Sequence, residues 1–509
     1  MNKEQSNKKQ WLPLWISLSM IAGMIIGFSM RDQFPSTPFF SFEKKSIIGE
    51  IETLIKRKYV DDVDLKKIND LAIQTMLSTL DPHSIHIPAC DLESVNDDIH
   101  GQFVGVGVEF TTIQDTTNII GLIPNGSAEK VGLQIGDKII EADGKSLVGL
   151  NEDSIRSKIK GTENSYVTLT INRMGDIKKF KIRRTRISIS SIDAGYMIGK
   201  DIGYIKISQF TTETYREFME TLTGLKKQGM AKLILDLRGN TGGVLNEAVE
   251  IADEFLSGDK LITYTEGKHE PKKEYRCKRE GQFENGELVL LSNEESASAS
   301  EILLGAMQDW DRAEIIGHRS FGKGLVQEQY DLSDKSALRL TVARYYTPVG
   351  RCIQRSYANG KEAYYEDQKK VTNTNSKVFL SSKGKKLYDG GGIEPDQSIH
   401  RDTTLDQVYE KLYEKDLNVS NLAYFIFTSM KKESPNSGFQ KLPSDWQNKL
   451  PDSVTALISS FKPNQVQAIA QQLEASLTLF EKGTEAYQKS LNLYDPVVKS
   501  ALLRLSAKP

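Results

Sequence analysis

The sequence predicts an α/β core with a compact, mainly-β module inserted before it, helical segments at both ends and an apolar stretch near the amino terminus. Three observations predict this. Residues 192–400 alternate strand-like apolar runs with amphipathic helical runs, the grammar of a mostly buried sheet covered by helices. Residues 98–190 change to a period of two, with short runs broken by Gly, Asn and Asp. Residues 42–97 and 404–509 repeat apolar side chains at three and four.

Composition narrows the function classes. A chain of 509 residues suggests about three or four domains. With 39% hydrophobic residues it has ample material for a core, and a formal net charge of −2 provides no global field for nucleic acid or anionic lipid. The lysines are dispersed, so no nucleic-acid signal arises. Three cysteines, Cys90, Cys277 and Cys352, lie in no CxxC and make neither a metal site nor a disulfide framework. His83 and His86 sit three apart in DPHSIHIP without further ligands, so neither a metal nor another cofactor is expected.

Taken in order, the first feature is Trp11 to Met30, twenty residues without a charge, preceded by Lys3, Lys8 and Lys9. That length suits one crossing of a bilayer core, and the lysines favour a cytoplasmic amino terminus. Met30-Arg31-Asp32 follows, with no small-x-small cleavage pattern, so a signal anchor is expected over 1–34 and everything after about residue 35 outside the cytoplasm. The 42–97 region carries two helical runs, Ile47 to Ile55 and Leu65 to Leu77, and Asp81-Pro82 stops the second.

The 98–190 module contains GQFVGVGVEF and SAEKVGLQIGDKIIEADGKSL. The second block resembles the core of a PDZ domain. That resemblance implies that Gly105, Val106, Gly107 and Val108 offer backbone N–H groups to a peptide's terminal carboxylate while the peptide adds to a sheet edge. The other reading of Gly105 and Gly107 is relief of backbone strain in a hairpin, and the downstream block favours the PDZ reading over it.

In the core, two strand ends stand out, because ligands of α/β sheets gather at the carboxyl ends of strands. One is RGNTGG at 238–243, which lacks the spacing of a phosphate loop and suits an oxyanion hole. The other is NEESASAS at 293–300, between an apolar strand and an apolar-periodic helix. Ser298 with Glu301 three residues later is a capping-box pattern, and from this stretch alone a plain N-cap is the stronger reading. Lys323, between Gly322 and Gly324 and beside Phe321, Leu325 and Val326, is placed for desolvation, although taken alone a surface turn lysine is the stronger reading. A desolvated lysine has a lowered pKa and can deprotonate a serine hydroxyl. Gln327 follows four residues later. A triad of Ser298 with His318 and Asp309 or Asp311 is the alternative, without a comparable local device.

Seven blocks in one order, from about residue 45 to 400, resemble the C-terminal processing peptidases, or tail-specific proteases. They are DPHS, the PDZ-like module, LILDLRGNTGG, SASASEILLGAMQD, GHRSFGKGLVQ, LRLTVARYYTPVGRCIQ and DGGGIEPD. The resemblance implies Ser298 as nucleophile, Lys323 as base and Gln327 as its support. It also implies an oxyanion hole from the N–H groups of Ala299 and Gly243, and a core of the crotonase-like type. A glycine often precedes the serine block in that family; Glu294-Glu295 stands there here. The expected organisation is an anchor over 1–34, a helical region over 42–97, a PDZ domain over 98–190, a serine protease core over 191–400 and a helical extension over 401–509. The extension suits packing, homo-oligomerisation or partner docking alike. The expected activity is that of a single-pass, membrane-anchored endopeptidase on the periplasmic side. It cleaves proteins near their C-termini after PDZ capture of the tail. Two other classes fit parts of the pattern: a catalytically inactive PDZ scaffold that binds tails, and an acyl-CoA enzyme using the same N–H pair.

Overall fold

The computed structural model describes residues 5–30, 46–113, 115–358, 360–366, 377–434, 438–439 and 441–507. It divides into two compact units, Met1–Thr75 and Met76–Pro509. The first holds helices α1 (Gln5–Met30), α2 (Ile47–Lys58) and most of α3 (Leu65–Ser78). Ser46 caps α2 by accepting from the Gly49 N–H, and Asn69 ties α3 to Glu52 of α2. Among the described residues no helix is long and apolar enough to cross a membrane. The anchor expected over 1–34 draws on residues 1–4 and 31–34 and on the side chains of Leu12 and Ile26 to Met30, which lie outside the described residues. Trp11 and Pro13 to Ile25 are exposed.

The second unit opens differently from the helical reading of 42–97. After α3, residues 81–84 form a tight turn in which Asp81 accepts from the Ser84 N–H and hydroxyl. β1 (Ile85–Ile87) then joins a sheet far along the chain, and only α4 (Ala89–His100) resumes the helix. A three-residue strand is too short for periodicity to reveal; its pairing with residues 337–339 is entirely long-range.

The β module consists of β2 (Gln102–Gly105), β3 (Val108–Ile113), β4 (Thr116–Leu122), α5 (Ser127–Lys130), β5 (Lys138–Ala142), β6 (Lys145–Ser146), α6 (Glu152–Ile159), β7 (Tyr166–Arg173), β8 (Asp176–Arg183) and β9 (Thr185–Ser188). Its main sheet runs β3-β4-β5-β7-β8, β6 joins β5, and β2 pairs with β9 separately. Alternation points Ile119, Ile139, Leu169, Ile171 and Ile182 inward against Ile155 and Ile159 of α6. Gly107 links β2 to β3 at φ 82°, a conformation that favours glycine.

The core follows with β10 (Ile192–Ile198), β11 (Ile202–Ile207), α7 (Thr214–Lys227), β12 (Lys232–Asp236), α8 (Leu245–Asp253), β13 (Leu261–Glu266), β14 (Lys273–Arg276), β15 (Glu287–Ser292), α9 (Ala299–Asp309), β16 (Glu314–Gly317), β17 (Leu325–Asp331), β18 (Ala337–Tyr346), α10 (Gly360–Glu366), β19 (Val378–Leu380), β20 (Lys386–Tyr388) and β21 (Gln397–Ser398). One sheet has the order β10-β11-β12-β15-β16-β21 and is parallel from β11 onward. A second, antiparallel sheet brings β1, β17, β18, β13 and β14 together. Helices α7, α8 and α9 bury one face of the parallel sheet. α9 is buried on every side, so each of its polar groups needs a partner, and Ser300, Glu301, Gln308 and Asp309 all have one.

The carboxyl-terminal helices are α11 (Asp406–Tyr413), α12 (Val419–Glu433), α13 (Asp452–Ser459), α14 (Pro463–Asn492) and α15 (Pro496–Ser506). They do two jobs. α12 lies against the β module, where Tyr424 donates to Asn118 at 2.8 Å, and Phe427 packs on Phe480 of α14. α14 bends at Gly483 (φ 80°, ψ −175°). Beyond that bend its end and α15 cover the other face of the parallel sheet, with Val497, Val498, Ala501 and Leu505 against Tyr204, Ile234, Val289 and Leu291.

Candidate active site

Three loops at the carboxyl ends of β11, β12 and β15 converge. The chain leaves β12 at Asp236 and turns through Gly239 (φ 76°), Gly242 (φ 100°) and Gly243 (φ 139°). A Cβ on Gly243 would lie 2.0 Å from the Phe210 carbonyl oxygen, and one on Gly242 would lie 2.7 Å from the Ser298 Cβ. Only glycine lets this turn press against both loops. Asn240, fully buried, braces it: its side chain donates to the Ile207 carbonyl and accepts from the Gly242 N–H, and its carbonyl accepts from the Ala297 N–H and the Ser300 hydroxyl.

The three serines of the next loop sort by partner. Ser296 is buried, and its hydroxyl donates to the Leu237 carbonyl and accepts from the Asn293 N–H. Ser300 is buried on Asn240. Ser298 is half-buried, and its backbone sits at φ 54°, ψ −112°. A non-glycine residue held there is strained, and such strain gathers where a side chain must be presented at a sharp strand-to-helix turn.

The lysine loop is attached to the same place. Gly322 (φ 89°) abuts the Gly391–Gly392 backbone, and a Cβ on Gly324 would lie 3.0 Å from the Gln354 N. Phe321 donates its N–H to the Ser296 carbonyl. Glu301 then joins the loops through one carboxylate. Oε2 accepts from the Ser298 N–H at 2.9 Å and the Lys323 N–H at 2.8 Å, while Oε1 accepts from the Ser320 hydroxyl and the Gly322 N–H, each at 2.6 Å. On the other side the buried Tyr345 hydroxyl reaches the Lys323 carbonyl at 2.6 Å and the Ser298 carbonyl at 3.1 Å. Two residues 25 positions apart in sequence thus share one acceptor and one donor.

Electrostatics follow burial. Desolvation lifts the Glu301 carboxyl to about 7 despite its four donors. Desolvation lowers the Lys323 amine, Arg339 nearby lowers it further, and Glu301 and Asp81 oppose both. Lys323 makes no ion pair among the described residues. Arg339→Gln therefore moves the acid limb of a pH–rate profile governed by Lys323 to higher pH, and an unmoved limb would show that Arg339 exerts no such influence.

The Gln327 amide of β17 donates to the Thr341 hydroxyl at 3.2 Å rather than to Lys323. Thr341 in turn donates its N–H to Ser84, whose hydroxyl donates to Asp81, so Gln327 belongs to the network that brings Asp81 near the lysine. The Gly243 and Ala299 N–H groups find no protein acceptor among the described residues, since the bridge to Phe210 uses the Gly242 carbonyl and the Val244 N–H. The alternative triad does not assemble. His318 Nδ1 faces Glu294 at 3.5 Å, Asp309 pairs with Arg351, and Asp311 accepts from the Lys383 N–H. His83 and His86 diverge, to Tyr364 and to Ser336. Groups of His, Cys, Asp or Glu able to hold a metal are absent among the described residues.

In the β module, Gly105 lies in β2 opposite Thr185, Val106 is buried, and Gly107 and Val108 lead into the edge strand β3. In the sequence Glu301 reads only as a helix cap and Asp81 only as a helix stop, while Asn240 and Tyr345 lie inside the family blocks with no role of their own. Glu301 had one signal, its capping-box spacing from Ser298.

The family profile of peptidase family S41 matches residues 201–362, and that of the PDZ domain matches residues 94–172. A "Carboxy-terminal-processing protease" of Bartonella bacilliformis is 34% identical over 318 residues, 62% of this chain and 73% of the relative. A "Probable CtpA-like serine protease" of Staphylococcus saprophyticus is 30% identical over 361 residues, 69% of this chain and 73% of the relative. The solved photosystem II D1 C-terminal processing protease is 27% identical, covering 70% of this chain and 88% of that one, with a TM-score of 0.39.

Proposed function

The chain belongs to peptidase family S41, the carboxy-terminal-processing serine proteases with a PDZ domain, and we propose that Ser298 and Lys323 form its catalytic dyad. The observation that carries this reading is the Glu301 oxygen shared by the Ser298 and Lys323 N–H groups. The neutral Lys323 amine takes the Ser298 proton as Oγ bonds to the scissile carbonyl carbon. The oxyanion is held by the N–H groups of Ala299 and Gly243, neither of which has a protein acceptor among the described residues. Collapse breaks the C–N bond, the leaving amine takes the proton from the Lys323 ammonium, and a water deprotonated by Lys323 then hydrolyses the ester. Gln327 supports the lysine through Thr341 and the Asp81 turn.

The 105–108 loop binds the substrate's terminal carboxylate and β3 pairs with its tail. Amidating the C-terminus of a reporter peptide then raises KM about tenfold or more with kcat unchanged, from the loss of charge-assisted hydrogen bonds; an unchanged KM would remove the loop from recognition. The apolar run Trp11–Met30, with lysines before it, anchors the protease with its catalytic part outside the cytoplasm. The experiment that tests the nucleophile is labelling with a peptidyl phosphonate followed by peptide mapping. The adduct is expected on Ser298; an adduct on another residue, or none on a protein that still cleaves, overturns the assignment.

A further inference from the structure

We propose that Asp495, at the corner between α14 and α15, is a positioning residue for the glycine turn 239–243, acting through Arg238. Arg238 opens that turn. Its Nε and Nη2 grip Asp236, the last residue of β12, and its Nη1 donates to Asp495 Oδ2 at 2.7 Å. Asp495 Oδ1 meanwhile accepts from the N–H groups of Val497 and Val498, so one carboxylate caps α15 and clamps the arginine. The corner grips the same cluster a second time. Asn492 donates to the Tyr196 hydroxyl at 2.8 Å, the Tyr196 ring lies 5.2 Å from that of Tyr204, and the Tyr204 hydroxyl donates to Asp236 at 2.7 Å.

The cluster is nearly dry: the side chains of Asp236, Arg238 and Asp495 are 0%, 16% and 18% exposed. Charges in such a place are weakly screened and hold their partners firmly. Lys206 fixes the Arg238 carbonyl and Asn293 the Gly239 N–H, so a shift of Arg238 has few outlets except along the turn. That turn ends at Gly242, against the Ser298 Cβ, and Gly243. α15 itself does not depend on the ion pair. Val497, Val498, Ala501 and Leu505 pack on the sheet, Lys232 holds the Leu505 carbonyl and Arg504 holds Glu314. Loss of the Asp495 charge therefore leaves the Arg238 side chain held by Asp236 alone, without releasing the helix. The last helices of the chain are in this way part of the protease rather than an appendage.

The inference rests on the reading of Gly243 as an oxyanion donor. Its test is Asp495→Asn in the full chain, since asparagine retains the cap. The measurements are kcat and KM on a tail-bearing reporter peptide, the affinity of a peptide aldehyde that forms a tetrahedral adduct, and the melting midpoint. A small displacement of the turn is expected to lower kcat about tenfold, less than the ~10²-fold cost of a full 1 Å misplacement. KM stays unchanged, the melting midpoint falls while the protein remains folded at the assay temperature, the aldehyde weakens in the same ratio as kcat, and Asp495→Glu recovers part of the rate. An unchanged kcat, a fall in kcat accounted for by unfolding at the assay temperature, or a fall in kcat with full aldehyde affinity would each overturn the role of Asp495. Ser298→Ala, run in parallel, separates the two claims: if it retains activity, the dyad reading fails whatever Asp495 does.

Discussion

Replacing Ser298 by alanine lowers kcat by on the order of 10⁵-fold or more, because a nucleophile and its base act as a unit. Replacing Lys323 by alanine costs roughly as much, since the hydroxyl without its base is no longer a nucleophile. KM on a tail-bearing reporter stays close to wild type in both, since the β module lies outside the reacting centre. The wild-type rate should also rise with pH along an acid limb. Lys323 must be neutral to accept a proton, and burial and Arg339 lower its pKa from the ordinary 10.5. In Lys323→Ala that limb disappears or moves to another group. A Lys323→Ala enzyme with wild-type rate and an unchanged limb would assign the base elsewhere.

Glu301→Gln is the second large effect, although it changes neither the size of the side chain nor a group that touches substrate. The glutamate presents two acceptor oxygens to four donors. An amide has one oxygen, and whichever way it turns, its NH2 faces two donors. Either the pair from Ser298 and Lys323 or the pair from Ser320 and Gly322 is broken. Each outcome separates the nucleophile loop from the lysine loop, and a misplacement of about 1 Å costs roughly 10²-fold in kcat. Stability moves in a direction that can be checked alongside. Burial raises the Glu301 carboxyl from 4.5 to about 7. Its contribution is therefore fully present below pH 4.5 and is lost as the pH rises through about 7. Glu301→Gln removes that dependence, so the difference in melting midpoint between mutant and wild type should narrow from pH 5 to pH 8. A Gln variant with full activity would show that the shared carboxylate does not set the dyad.

The residues differ in how far sequence could reach them. RGNTGG and the serine block announce sharp turns locally, since a sharp turn demands glycine and a strand-to-helix junction demands small residues, but a plain N-cap was the stronger local reading of Ser298. The triad with His318 was excluded only by where Asp309 and Asp311 point. Gln327 was placed four residues from Lys323 in sequence, but β17 is extended and its amide turns to Thr341 instead. The turn at 81–84 was legible only as a block of resemblance, because its partners lie in β18, some 250 residues away.

By itself, then, the sequence marked Ser298 and Lys323 only through resemblance to a family, while it determined the α/β core, the β module and the glycine- and serine-rich loops. Those features arise from local period, glycine and small residues, and they need no knowledge of distant partners. Tertiary structure decided what joins them: Glu301 and Tyr345 between two loops, the Asp81 turn beside the lysine, and Asp495 behind the glycine turn. Each is a buried polar contact across long sequence separation, fixed by the need to satisfy a donor or acceptor away from water, and no period in the chain records it.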